Sequence, residues 1–141
     1  GMVPYINDGH GDTPMPGHIM AISPGTCVDT EDEWQRMLQL DKLDVAIPAQ
    51  YMKMAVEIMR HGDDSVPEYM IWLQRGDFTN CPKVTFIYGS HETLYACAPS
   101  FEAAMHLYDV DYQMIVGEGM FHCYPEFPVC REAKAGWDMM V

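Results

Sequence analysis

Positive charge is what this chain has least of. Eight Lys and Arg stand against twenty-one Asp and Glu, a formal charge of -13, and such a surface repels phosphate backbones and anionic lipid headgroups alike. Nucleic acid and membranes are thereby disfavoured as partners. Long apolar runs are also missing: Val84–Tyr88 and Met114–Val116 are far too short to cross a bilayer, and no basic segment followed by an apolar one opens the chain. These absences read as a soluble, cytoplasmic protein. Gly1 before Met2 reads as the scar of a cleaved expression tag, with Met2 as the native start. The five cysteines (Cys27, Cys81, Cys97, Cys123, Cys130) are odd in number and none are spaced C-x-x-C, so neither a disulfide framework nor a zinc ribbon is indicated. No internal repeat is present, and no motif calls for a cofactor or metal.

What is present suffices for one domain. The 141 residues are 48% hydrophobic, enough to bury a core. Residues 1–17, rich in proline and glycine, predict an irregular lead-in without a continuous helix or strand. His18–Ser23 is a short apolar run closed by Pro24-Gly25, the signature of a strand ending in a turn. Thr30 to Glu33 spells a capping box, with Trp34, Met37, Leu38 and Leu40 following at helical spacing. Pro48 opens a second amphipathic stretch that stops before Gly62. Pro67–Leu73 suggests a short helix and Gly76–Pro82 a loop. Val84–Tyr88, β-branched and aromatic, is a strand stopped by Gly89. Helical spacing returns over Pro99–Tyr108, a third strand is predicted at Tyr112–Val116, and a closing helix over Val129–Met140. That order implies an α/β fold, a small three-stranded parallel sheet with crossover helices.

In such sheets, ligands and catalytic groups gather beyond the carboxyl ends of the strands. Two titratable clusters fall there: Gly89-Ser-His-Glu92 after the second strand and Gly117-Glu-Gly-Met-Phe-His122 after the third. Neighbouring parallel strands bring these loops side by side. A carboxylate on one and an imidazole on the other can fix a histidine tautomer and stabilise its charged form during acyl transfer.

Three stretches carry a family resemblance. "IMAISPGTCVDT" is a strand entering a Ser-Pro turn, "CPKVTFIYGSHETL" a Pro-led strand with an acid turn, and "GEGMFHCY" a Gly-Met-x-His loop. In this order and spacing, the run from residue 18 to 141 resembles the C-terminal half of an α/β-hydrolase of the esterase/lipase branch related to hormone-sensitive lipase. The resemblance implies Glu92, in place of the more usual Asp, as the triad acid and His122 as the general base. It places residues 29–80 where a helical cap-like insertion lies, and it implies carboxylester hydrolysis by a Ser-His-acid triad.

The nucleophile is the missing piece. In this fold it sits in G-x-S-x-G, upstream of the acid, and none of Ser23, Ser65, Ser90 and Ser100 has glycine both two before and two after. Ser23 comes nearest, yet it matches the Ser-Pro turn. The HGGG-type oxyanion loop is missing too, so the chain alone is expected to be inactive as an esterase. Cys123 is a candidate surrogate nucleophile, but directly after His122 it is expected to point away from the imidazole. His10, His18 and His91 are read as incidental, and a metal set of His91, Glu92, His122 and Cys123 matches no standard spacing. Without the strand that leads to a nucleophile, His18–Ser23 is an open edge. Two expectations follow: a homodimer pairing these strands into a six-stranded sheet, or a separate N-terminal hydrolase half. A non-catalytic dimeric remnant or a small-ligand-binding module is the alternative function.

Overall fold

The computed structural model describes residues 1–127 and 129–140, with Met140 described for its backbone only. Val141, the last residue of the expected domain, and the Met140 side chain invoked for the closing helix lie outside the described residues. Three parallel strands, β1 (Ile19–Ile22), β2 (Val84–Gly89) and β3 (Tyr112–Gly117), form one sheet in the order β1-β2-β3. Ile19 lies opposite Val84, and Val84 opposite Tyr112. Every residue of the central strand β2 is buried, as a strand covered on both faces requires. On one face Phe86 and Tyr88 pack with Met37, Leu94, Phe101 and Met105; on the other, Ile87 and Ile115 pack with Tyr124 and Ala133.

The helices follow the chemistry that starts and stops them. The helix α2 (Glu31–Leu40) opens on the expected capping box: the Glu33 amide donates to Thr30 Oγ1 at 3.2 Å and the Thr30 amide to Glu33 Oε2 at 3.3 Å. The second Glu33 oxygen accepts the Ser100 amide at 3.0 Å, which ties α2 to the later helix α5 (Ala98–Leu107). Between them lie α3 (Gln50–Arg60) and the short α4 (Glu68–Ile71). Helix α3 is amphipathic but buries no residue fully, and His61 ends it in the left-handed region. A 3-10 turn over Thr93–Cys97 runs directly into α5, and α6 (Arg131–Met140) closes the described chain.

The lead-in departs from the sequence expectation. Met2–Asn7 forms a helix, α1, although the segment was expected to be irregular. Most of the prolines and glycines counted against it fall after Asn7, and Pro4 sits in the first turn, where a missing amide costs nothing. Val3 and Ile6, three residues apart, share one buried face. The helix is anchored outward as well: Asn7 Nδ2 donates to the carbonyls of Asp77 at 2.9 Å and Thr79 at 3.0 Å. Gly76 permits the contact, since a Cβ there would stand 2.1 Å from Pro4 Cγ.

β1 lies at an edge of the sheet. The amides of Ile19 and Ser23 donate to Lys83 and Ile87 on the β2 side, so the alternating amides of Met20 and Ile22 face outward. Beside that edge is a cavity of about 340 Å³ lined by Met2, Val3, His18, Met20, Phe86 and Phe101 among others. Among the described residues no Asp, Glu, Lys or Arg lines it, although the Gly1 amino terminus and His18 do.

Candidate active site

The site is built where the three strands end. β1 passes into Ser23, whose φ of 45° lies in the left-handed region and turns the hydroxyl under the neighbouring loop. β2 ends at Gly89, and its loop carries Glu92. β3 ends at Gly117, and its loop carries His122 and Cys123. The last two loops are laced together by backbone bonds: the Ser90 amide donates to Gly117 O at 2.9 Å and the His91 amide to Met120 O at 3.0 Å. Gly89 must be glycine for this, because a Cβ there would lie 2.2 Å from Met120 O and 2.7 Å from Phe121 O. The expected juxtaposition of the acid and histidine loops is therefore present.

Glu92 is fully buried. Its Oε2 accepts from Ser23 Oγ at 2.8 Å and from the Gly89 amide at 3.1 Å, while Oε1 has no partner. Burial pushes its carboxyl up to about 7, opposed by the bonds from Ser23 and Gly89 and by the Cys123 amide, and reinforced by the Asp44 carboxylate. His122 is half-buried, and its Nδ1 is enclosed without a partner. Burial lowers its pKa, against the pull of Asp44 and Glu126. Neither a hydrogen bond nor an ion pair within 4.0 Å joins Glu92 to His122. Each keeps one unpartnered buried atom, Oε1 on Glu92 and the ring nitrogen Nδ1 on His122.

Cys123 corrects an expectation. Its thiol does not point away from the imidazole but contacts it, with Sγ 3.1 Å from His122 Nε2. The cause is local: Cys123 has φ 53°, and a left-handed residue reverses the side-chain alternation that an extended chain gives. Burial raises the thiol pKa, so the group is a thiol rather than a thiolate nucleophile.

Two contributors were not singled out from the sequence as site residues. Ser23 bridges the acid and the histidine loop, since it also accepts the Cys123 amide at 2.9 Å. Asp44, in the loop after α2, accepts from the Thr93 amide at 2.7 Å and from Thr93 Oγ1 at 3.0 Å, and its charge raises the pKa of both Glu92 and His122. The available signal was the position of Ser23 at the carboxyl end of a strand neighbouring the acid loop; nothing local marked Asp44. His18, read as incidental, contacts Thr85 Oγ1 through Nε2 at 3.0 Å. Among the described residues, no group of three His, Cys, Asp or Glu is placed to hold a metal ion.

Parallel strands with helices on both faces and titratable loops at the carboxyl ends define an α/β-hydrolase type of fold. Comparison with solved structures agrees. The chain is similar to an esterase from the bacterial hormone-sensitive lipase family (TM-score 0.78, 18% identity, 95% of this chain and 44% of that one). It is similar also to an esterase/lipase from an uncultured bacterium (TM-score 0.72, 19% identity, 95% and 43%). At such identities the likeness establishes the fold, and this chain spans less than half the length of either protein. No protein-family model matches the chain, and no curated protein matches it. No helix among the described residues is long and apolar enough to cross a membrane.

Proposed function

We propose that this chain supplies the acid and the base of a carboxylester-hydrolysing site, Glu92 and His122, and that the nucleophile and oxyanion donors come from a segment completing the sheet at β1. The observation that carries the reading is the complementary pair of unpartnered buried atoms, Glu92 Oε1 and His122 Nδ1, on two interlocked loops at the ends of adjacent strands. In the reaction, His122 Nε2 takes the proton of an attacking serine hydroxyl as the ester carbonyl becomes tetrahedral. It then returns that proton to the departing alkoxide, and Glu92 holds Nδ1–H and stabilises the imidazolium. The same half-reaction with water as nucleophile releases the acid.

The sequence itself supports an outside nucleophile. None of its four serines stands in G-x-S-x-G, and the raised thiol pKa of Cys123 weakens the surrogate. The open edge of β1 and the mostly apolar cavity beside it suit an apolar strand and helix of such an N-terminal half. The test is hydrolysis of a short-chain, poorly activated ester by the chain alone, with His122→Ala as control. No turnover is expected from either protein. Turnover that disappears in His122→Ala contradicts the reading, because the nucleophile then lies within these residues.

The same edge and cavity favour a second reading, a non-catalytic dimeric remnant or a small-ligand-binding module in which a second copy pairs its β1 antiparallel across a two-fold axis. Light scattering decides it: a dimer at micromolar concentration is expected on this second reading, and a monomer rules it out.

A further inference from the structure

We infer that Ser23 is a positioning residue whose hydroxyl fastens the histidine loop to the acid and selects which carboxylate oxygen of Glu92 is left free for the imidazole. The inference rests on the reading of Glu92 and His122 as an acid–base pair. Its basis is the polarity of one short chain of hydrogen bonds. A backbone amide can only donate, so the 2.9 Å contact from Cys123 N makes Ser23 Oγ an acceptor. The single hydroxyl proton is then committed to Glu92 Oε2, 2.8 Å away. The Gly89 amide goes to that same oxygen at 3.1 Å. Two donors saturate Oε2, and Oε1 is left buried and bare.

The consequence is directional. The loop that delivers the Cys123 amide to Ser23 also carries His122, whose Nδ1 is the unpartnered ring atom. Ser23 therefore holds the acid by one oxygen and the histidine loop by its backbone, and the carboxylate oxygen it leaves free is Oε1. Ser23 stands at φ 45°, a conformation that glycine adopts more readily than serine. Backbone fit alone thus favours glycine here, and the hydroxyl is what serine adds.

The test is carboxyl-carbon NMR titration of Glu92 in the wild-type chain and in Ser23→Ala and Ser23→Gly, with the Cys123 amide shift followed in the same samples. Titration of the His122 ring is read separately from its own carbons. In the wild type, the Cys123 amide is expected to follow the Glu92 midpoint, because ionisation of the carboxyl tightens the bond from Ser23 and polarises the hydroxyl that the amide binds. In both variants the Glu92 midpoint is expected to rise by about one pH unit, the worth of a lost hydrogen bond to a charged group, and the amide is expected to follow it more weakly than in the wild type. Should Ser23→Ala not fold, Ser23→Gly, which relieves the backbone, and the wild-type coupling still decide. A folded Ser23→Gly with an unmoved Glu92 midpoint, or a wild-type Cys123 amide that ignores Glu92, overturns the inference. Failure of the acid–base reading looks different: an enzyme completed with a nucleophile half keeps its activity in His122→Ala, while the Ser23 coupling persists.

Discussion

Replacing Glu92 by glutamine should flatten the pH dependence of stability around neutrality. Glu92 is buried with its carboxyl raised from 4.5 to about 7, so between those values the folded chain holds a proton that the unfolded chain has released. Stability linked to this group is therefore fully present below pH 4.5 and is lost as pH rises through 7. At 1.36 kcal/mol per pKa unit, the loss between pH 5 and pH 8.5 is about 2 to 3 kcal/mol. Glutamine keeps the shape and the acceptor for Ser23 and Gly89 but cannot ionise. His122 acts in the opposite sense, since burial lowers its pKa and its protonation weakens the fold at acid pH. That contribution is common to both proteins and cancels in the difference. Urea unfolding followed by circular dichroism at pH 5, 6, 7 and 8.5 measures the gap. The Glu92→Gln chain should gain on the wild type by about 2 to 3 kcal/mol across the range; parallel stability profiles would falsify the account of a buried, ionisable acid.

Other consequences are equally open to measurement. Asp44→Asn should lower the pKa of both Glu92 and His122 in NMR titrations, because the Asp44 charge raises each; unchanged midpoints would remove Asp44 from the electrostatics of the site. Gly89→Ala should cost about 3 kcal/mol or more in denaturant unfolding, since its Cβ would lie 2.2 Å from Met120 O; a near-neutral effect would mean that the histidine loop is not held against Gly89. Thr30→Ala should cost about 0.5 to 2 kcal/mol by removing the cap of α2. Cys123 should react with iodoacetamide at pH 7.5 more slowly than a free cysteine, as burial raises its thiol pKa; faster labelling would point to a thiolate and revive it as a nucleophile.

The parts of this structure that local chemistry decides could be read from the sequence. The β-branched and aromatic run before Gly89 gave β2, and the box from Thr30 to Glu33 gave the start of α2, because each signal is contained within a few residues. The acid and histidine loops could be placed side by side because parallel neighbours put their carboxyl ends together. Helix α1 escaped, since its stability comes from burying Val3 and Ile6 rather than from propensity. The orientation of Cys123 escaped because it hangs on one left-handed residue. Ser23 and Asp44 meet Glu92 and Thr93 across 69 and 49 positions of chain, a distance over which no spacing rule operates.

The likeness to esterases spans less than half of those chains, so the claim that Glu92 and His122 serve as acid and base is tested most directly by joining the chain to a nucleophile-bearing N-terminal part. The measurement is kcat/KM for a short-chain, poorly activated ester by a fusion in which the N-terminal part of a hormone-sensitive-lipase-type esterase, bearing G-x-S-x-G, precedes residue 2. The account predicts hydrolysis that falls by about 10³-fold or more in His122→Ala and is reduced in Glu92→Gln. A folded fusion whose hydrolysis is indifferent to both substitutions would contradict it.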